Sequence, residues 1–385
     1  MSLLNHYAEA LDQLKQQGNF RQFKSNIQRG RYIEINQQNM LNLSSNDYLG
    51  LASNIQLREQ FFDETPNAKR LMSSSSSRLL TGNFSEYEAL EQNLSQLFHG
   101  RSALLFNSGY HMNIGILPAI CDSKTLVLAD KLVHASIIDG IRLSSAKYVR
   151  YRHNDLQHLD NLIEKYQADE SIQRIIVVTE SIFSMDGDET NLKALVNIKH
   201  KYSNVMLYVD EAHAIGVRGQ QGLGCAEEYG VIEDIDFLVG TFGKALASVG
   251  GYLICHDIIR DYLINTMRPL IFSTAQPPIL MTWTQFVLKH ITSMQAERKY
   301  LKNISSQLIN QVKLKGFTCP SISQIVPVII GDSQQTVEKA QHLQQAGFYI
   351  MPVRPPTVPK GSSRLRICLN THVKDVDLAQ LVKLL

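Results

Sequence analysis

Short apolar runs, each closed by a cluster of polar or small residues, recur through most of the chain. Ala103 to Phe106 ends in Asn107-Ser108-Gly109-Tyr110, and Thr125 to Leu128 precedes Ala129-Asp130 and then His134-Ala135-Ser136. Ile175 to Val178 runs into Thr179-Glu180-Ser181-Ile182-Phe183-Ser184-Met185-Asp186-Gly187-Asp188, and Val205 to Val209 into Asp210-Glu211-Ala212-His213. A further run, Ile235 to Val239 with Asp236 inside it, gives way to Gly240-Thr241-Phe242-Gly243-Lys244. Strand-length runs alternating with helix-length segments predict an α/β fold with an open, largely parallel sheet and helices on both faces. Ligands of such sheets bind at the carboxyl ends of the strands, which is where these polar residues fall.

The flanks carry other patterns. Leu3, Tyr7, Leu11 and Leu14 recur at three- and four-residue spacing and predict an amphipathic helix stopping near Gly18, with Arg21 just beyond it. Arg31 to Ile35 and Met40 to Leu43 read as short strands leading into the turn Ser44-Ser45-Asn46-Asp47-Tyr48-Leu49-Gly50-Leu51. Serine runs commonly mark linkers, but Ser73 to Ser77 is short and precedes a helix-like Tyr87 to Phe98, so an ordered loop is as good a reading. After the proline-bounded joint Arg268 to Pro278, one long helical segment is expected from Ile279 to about Leu314. Val326 to Ile330, Val337 to Gln345, Tyr349 to Val353 and Leu365 to Leu369 then predict a small α+β domain.

Composition narrows the class. With 44% hydrophobic and 19% charged residues and a net charge of +2, the chain reads as an ordinary globular protein without a basic field for nucleic acid. Its five cysteines are scattered, with no Cys-x-x-Cys pair, and suit neither zinc nor a disulfide framework. Met1 to Phe20 lacks the continuous apolar core of a signal peptide, and no apolar segment approaches the ~20 residues needed to span a bilayer. A cytoplasmic enzyme is the expectation, with no metal, since neither His-Glu-x-x-His nor another clustered ligand spacing occurs.

The chemistry gathers at four strand ends. Asp210, at the mouth of an apolar strand, is costly to bury unless a cation or strong donor faces it. His213 follows three residues later, and Gly109 with Tyr110 offers backbone N–H groups at a helix start, where an anion is held well. Lys244 alone also reads as a surface loop lysine. A carboxylate for a ring nitrogen, a hydroxyl and N–H cradle for a phosphate, and a lysine for an aldehyde together point to pyridoxal 5'-phosphate (PLP). Asp-x-x-His followed some thirty residues later by Thr241-x-x-Lys244 makes Lys244 the candidate Schiff-base lysine.

Four stretches, Asn46 to Gly50, Thr179 to Asp188, Val209 to His213 and Gly240 to Ala245, occur in the order found in the α-oxoamine synthases, and the chain resembles that family over nearly its whole length. The family joins an amino acid to an acyl thioester with loss of carbon dioxide. The resemblance implies the PLP-dependent transferase fold of type I: an N-terminal helix and short strands (1–45), a large domain with a mostly parallel seven-stranded sheet (46–285) and a small C-terminal α+β domain (286–385). It further implies that Lys244 holds PLP, that Asp210 pairs with the ring nitrogen, that His213 bonds the ring hydroxyl with Ser184 nearby, and that His134 stacks on the ring. Thr241 with the Gly109 and Tyr110 backbone would bind phosphate, and Arg354 the amino acid carboxylate, while Arg21, Asn46 and Thr357 would line the substrate site. Homodimerisation is implied too, with Ser273 or Thr274 reaching the partner's phosphate.

Arg354-Pro355-Pro356-Thr357-Val358-Pro359-Lys360-Gly361 is similar to the loop of the family's biotin-pathway branch, which implies L-alanine and a pimeloyl thioester, carried on CoA or an acyl carrier protein, as substrates. Three departures leave the substrate open. Serines stand at Ser73 to Ser77 where glycines are usual, His111-Met112 replaces small residues, and Val249-Gly250-Gly251 is shared more with glycine-using relatives. A glycine C-acetyltransferase-type enzyme and a non-catalytic PLP-binding protein are the rival readings.

Overall fold

A computed structural model describes residues 3–385 and divides them into two compact units. One comprises Asn54–Ser184 and Glu189–Lys299; the other comprises the segment ending at Ser53, Met185–Asp188 and Tyr300–Leu385.

The larger unit is built on a seven-stranded sheet. Its order is Ser102–Phe106, Gly251–Cys255, Phe237–Thr241, Val205–Asp210, Arg174–Glu180, Thr125–Asp130, Lys147–Tyr151. All strands run parallel except Gly251–Cys255, which is antiparallel to both of its neighbours. The central strands are apolar without alternation because both faces are covered, as Leu126, Val127, Leu128 and Ala129 show by being fully buried. Each such Leu or Val contributes about 1.5–3 kcal/mol by leaving water.

The helices Gly109–Ile120 and Ala135–Leu143 supply Met112, Ile116, Leu117, Ile137 and Ile141 to the same core as Val127, Ile176, Val178 and Val239. Their approach is close enough that a Cβ on Gly140 would stand 2.3 Å from the Asn113 carbonyl oxygen, so only glycine fits there. That packing fixes the azimuth of the Gly109–Ile120 helix, and with it the direction of Asn113.

The expected continuous helix from Ile279 is instead two, Pro278–Ile291 and Gln295–Leu314. Apolar periodicity persists across the break, but Thr292 and Ser293 turn their hydroxyls back onto the carbonyls of Lys289 and His290, each at 2.8 Å, and end the first helix. The serine run is ordered: Ser74 is buried and donates to the Gln276 carbonyl at 2.6 Å, before a π-helical turn at Arg78–Gly82.

In the smaller unit the strands Ile27–Arg29, Tyr32–Ile35, Gln38–Asn42 and Phe348–Tyr349 form one sheet, and Ile325–Gly331, Ser363–Cys368 and Pro352–Val353 another. The expected single strand Tyr349 to Val353 is thus two fragments that pair in different sheets. The helix Asn5–Gln16 forms as its periodicity predicts, yet it buries no residue, and Leu3, Tyr7, Leu11 and Leu14 face solvent. Among the described residues no helix is long and apolar enough to cross a membrane.

Candidate active site

At the carboxyl ends of the central strands, where ligands of such sheets bind, lies a cavity of about 150 Å3. Gly109, Tyr110, His134, Asp210, His213, Thr241 and Lys244 line it together with Asn113, Ser136 and Glu180. The Val205–Asp210 strand pairs in parallel with Arg174–Glu180 on one side and Phe237–Thr241 on the other, which brings Glu180, Asp210 and the Lys244 loop side by side.

Asp210 is held from two directions. Its Oδ1 accepts the Ala212 backbone N–H at 2.9 Å and its Oδ2 accepts the Asn113 Nδ2 at 3.2 Å. Asn113 is itself fixed, donating to Ser136 Oγ at 3.0 Å and accepting from the Tyr208 hydroxyl at 2.5 Å. These neutral donors compensate the buried carboxylate while leaving the cavity face of Asp210 to a cation. The Nζ of Lys244 lies 2.8 Å from His213 Nε2.

His134 caps the Ala135–Leu143 helix, its Nδ1 accepting from the Ser136 N–H at 3.2 Å. Burial, reinforced by the Lys244 charge and opposed by Asp210, lowers its pKa and favours the neutral ring. The helix Gly109–Ile120 opens at the cavity with Ser108 Oγ accepting from the His111 N–H at 3.0 Å, so the earlier N–H groups stay available. Thr241 Oγ1 donates to the Gly250 carbonyl at 2.8 Å and accepts the Gly243 N–H at 3.2 Å, which ties the start of the lysine loop to the strand end.

Ser184 lies in the loop after Arg174–Glu180 and Thr274 in the segment after the short helix Arg268–Ile271; neither lines the cavity. Thr274 accepts from Asn107 Nδ2 at 2.9 Å through its carbonyl. Arg21, Asn46, Arg354 and Thr357 belong to the smaller unit. There Arg21 Nη2 donates to Thr357 Oγ1 at 3.0 Å, Arg354 Nη1 to the Gly18 carbonyl, and Arg366 donates twice to Asn46 Oδ1 at 3.1 Å. Met112 lines the cavity, whereas His111 Nε2 lies 3.2 Å from Ser273 Oγ.

Residues 38–385 match the family model for class I and II aminotransferases. The chain is 52% identical to the 8-amino-7-oxononanoate synthase of Haemophilus ducreyi, over 98% of this chain and 99% of that protein. The chain belongs to the 8-amino-7-oxononanoate synthase family. Its members are PLP-dependent acyltransferases of fold type I. The solved 8-amino-7-oxononanoate synthase of Francisella tularensis superposes with a TM-score of 0.75 at 25% identity, over 90% of this chain and 96% of that one. A serine palmitoyltransferase from S. paucimobilis, solved with a PLP–myriocin adduct, gives 0.89 at 26% identity, over 100% and 97%.

The residues on the cavity wall fit the cofactor of this synthase family. The site presents two neighbouring carboxyl groups, one primary amine, a helix N-terminus beside a hydroxyl, and two imidazoles, a set with partners for the ring nitrogen, aldehyde, phosphate and ring face of PLP. Asn113 and Glu180 carried no role in the sequence reading. Asn113 sits one helical turn past Gly109, a spacing that places it on the same side of the helix, but nothing local marks its partner.

Proposed function

We propose that the chain is the biotin-pathway enzyme that condenses L-alanine with a pimeloyl thioester, releasing carbon dioxide and the free thiol carrier and giving 8-amino-7-oxononanoate. The observation that carries this reading is the cavity in which Lys244 and Asp210 share one wall, in a chain 52% identical to a synthase of that name. The Arg354–Gly361 loop supports alanine over glycine.

When bound, PLP supplies an electron sink for the charge that develops at the amino acid Cα. Lys244 would hold the aldehyde, and its Nζ is the group placed to accept the Cα proton of the amino acid. Asp210 would face the ring nitrogen, and His213 would bond the ring hydroxyl in the region of Ser184. His134 packs on the ring face as a neutral imidazole. The N–H groups at Gly109 and Tyr110, with Thr241, take the phosphate. Arg354 is assigned the substrate carboxylate by bidentate pairing, and Arg21, Asn46 and Thr357 the remainder of the substrate site.

The working form is a homodimer in this reading. The apolar face of the Asn5–Gln16 helix, with Leu4, Tyr7 and Leu11 exposed, then covers itself on a second copy, and Ser273 or Thr274 meets the partner's phosphate. Mass spectrometry of the product after incubation with PLP, pimeloyl-CoA or pimeloyl-acyl carrier protein, and either L-alanine or glycine tests the reaction. Formation of 8-amino-7-oxononanoate from alanine supports it. A glycine-derived product alone would reassign the enzyme within its family, and no carbon dioxide release with either amino acid would refute the acyltransfer reading.

A further inference from the structure

Two carboxyl groups stand at neighbouring strand ends in this cavity. Glu180 and Asp210 are direct partners in the parallel register, both line the cavity, and both are buried, at 3% and 6% exposure. Two ionised carboxylates so placed would repel strongly in a low-dielectric wall, so the pair cannot both carry charge at low cost.

The surroundings decide which one holds the proton. Asp210 has the Asn113 amide and the Ala212 N–H as donors. Glu180 accepts the backbone N–H of His134, while its Oε1 has no hydrogen-bond partner. Its backbone is fixed, because Thr190 Oγ1 donates to its carbonyl at 2.9 Å and the next residue's N–H donates to the Asp210 carbonyl at 2.9 Å.

Of the other charged groups around it, Lys244 draws the Glu180 carboxyl down, but by less than burial and Asp210 each raise it. Asp130, on the strand next to Glu180's own, is engaged by His153 Nδ1 at 2.8 Å and by the N–H groups of Leu132 and Asn154. Lys244 lies toward His213, and His134 is driven toward neutrality.

We propose that Glu180 is the proton-holding partner of Asp210, a neutral acid that leaves the two strand ends with one negative charge and positions His134 through its backbone N–H. The charge count then matches a single protonated ring nitrogen. An ionised Glu180 would add a second anion near Lys244, favour its ammonium form and withdraw the base. Burial foremost, and then Asp210, push the Glu180 carboxyl up to about 8, consistent with a proton retained at neutral pH. Glu180 acts here as a positioning residue. The inference rests on the placement of PLP beside Asp210 and Lys244.

The test titrates wild type, E180Q and E180A, each with PLP, from about pH 6 to about pH 9.5 while following the visible absorbance of the lysine-linked cofactor, with thermal unfolding of the same proteins without added PLP in parallel. Wild type should show an inflection in the visible band near pH 8. E180Q, neutral and nearly isosteric, should keep the band at neutral pH and lose the inflection. E180A should bind PLP at least about tenfold more weakly. A carboxyl raised in the native state loses stability as pH climbs from its unfolded value toward about 8. The wild-type melting temperature should therefore fall relative to E180Q over that range. An unchanged inflection in E180Q, parallel melting curves, or loss of the band in E180Q at neutral pH would overturn the proposal. Should wild type take up no PLP, the cofactor placement fails instead, and the melting curves alone still decide the proton on Glu180. K244A, which must lose the lysine-linked band at every pH, serves as the control for that placement.

Discussion

Lys244 Nζ and His213 Nε2 lie 2.8 Å apart, so the amine that is to take an aldehyde is already held by an imidazole at the strand end. The pair shares a proton only if one member is neutral. Removing the imidazole leaves the amine less well placed, and it removes the partner assigned to the ring hydroxyl. H213A should weaken PLP by about 10–100-fold, the equivalent of a lost hydrogen bond to a charged group at ~1.5–3 kcal/mol. K244A should eliminate the covalent band while still retaining PLP noncovalently, and should cut turnover by about 10^2–10^4-fold or more. Equilibrium dialysis and visible spectra of the two variants separate these effects. A H213A protein with unaltered affinity would show that the contact is incidental.

The antiparallel strand Gly251–Cys255 packs against the helix start proposed to take the phosphate. A Cβ on Gly251 would stand 3.2 Å from the Gly109 Cα and N and 3.2 Å from the Gly240 carbonyl oxygen, so both the helix start and the neighbouring strand would have to give way. G251A should therefore displace the N–H groups of the Gly109–Ile120 helix and weaken PLP by about tenfold or more. Pyridoxal without its phosphate is the control. If G251A weakens both ligands equally, the displaced helix does not serve the phosphate.

The strand ends were legible in the sequence because apolar runs stop abruptly at residues that are expensive to bury, and Asp210, Thr241 and Lys244 are all of that kind. Asn113 was not legible, since its partner Asp210 lies 97 residues away and the contact depends on how closely Gly140 lets two helices approach. Glu180 could be seen at a strand end, but only the parallel register with Asp210 turns it into a charge problem. The break at Thr292 was hidden for a different reason: the apolar spacing continues through it, and the hydroxyl-to-carbonyl bonds that end the helix leave no mark on hydrophobic periodicity. The two fragments within Tyr349 to Val353 look like one strand until their separate partners are known.

The lysine loop is latched by the single tryptophan. Trp283 Nε1 donates to the Ala247 carbonyl at 2.9 Å, and Thr284 Oγ1 lies 2.7 Å from Ser248 Oγ. The anchored Ala247 sits at φ +47°, a left-handed conformation unfavourable for alanine. W283F removes the donor and leaves that carbonyl with poorer compensation, so stability should fall by about 1–3 kcal/mol and bound PLP should dissociate faster. Wild-type fluorescence comes from this one indole, so PLP addition should change its intensity, and K244A should alter the size of that change. Unaltered dissociation in W283F, with only a lowered melting temperature, would limit the contact to packing.

Acid stability should depend on buried imidazoles. Burial lowers the pKa of His134, His111 and His372 below the ordinary value of 6.5, with Lys244 adding to the effect at His134 and Arg31 at His372. At these imidazoles the native state then binds fewer protons than the unfolded chain below that pH, so they withdraw stability as pH falls from about 6.5, against the opposite contribution of Glu180. H134N keeps an effective helix cap but cannot take a proton. Its unfolding free energy, measured by urea titration of the protein without PLP, should fall less steeply on the acid side than that of wild type. An equal slope would mean that His134 keeps an ordinary affinity for protons in the folded protein.

Arg364 organises the smaller unit around Met185–Asp188. Only 4% exposed, it pairs through Nη1 with Asp186, reaches the Met185 carbonyl at 3.4 Å, and donates from Nε to the Ser362 carbonyl at 3.0 Å. The same short segment is held from the other side by Ser321 Oγ and the Ile322 N–H, both 3.2 Å from the Gly187 carbonyl. A Cβ on Gly187 would stand 2.1 Å from the Ile325 carbonyl oxygen, so only glycine fits there. R364A strands the Asp186 carboxylate without its cation and should cost about 3–5 kcal/mol. Adding D186N removes the stranded charge, so the double variant should recover part of that loss in urea unfolding. If R364A and R364A/D186N unfold at the same denaturant concentration, the guanidinium serves the two carbonyls and the ion pair contributes nothing measurable.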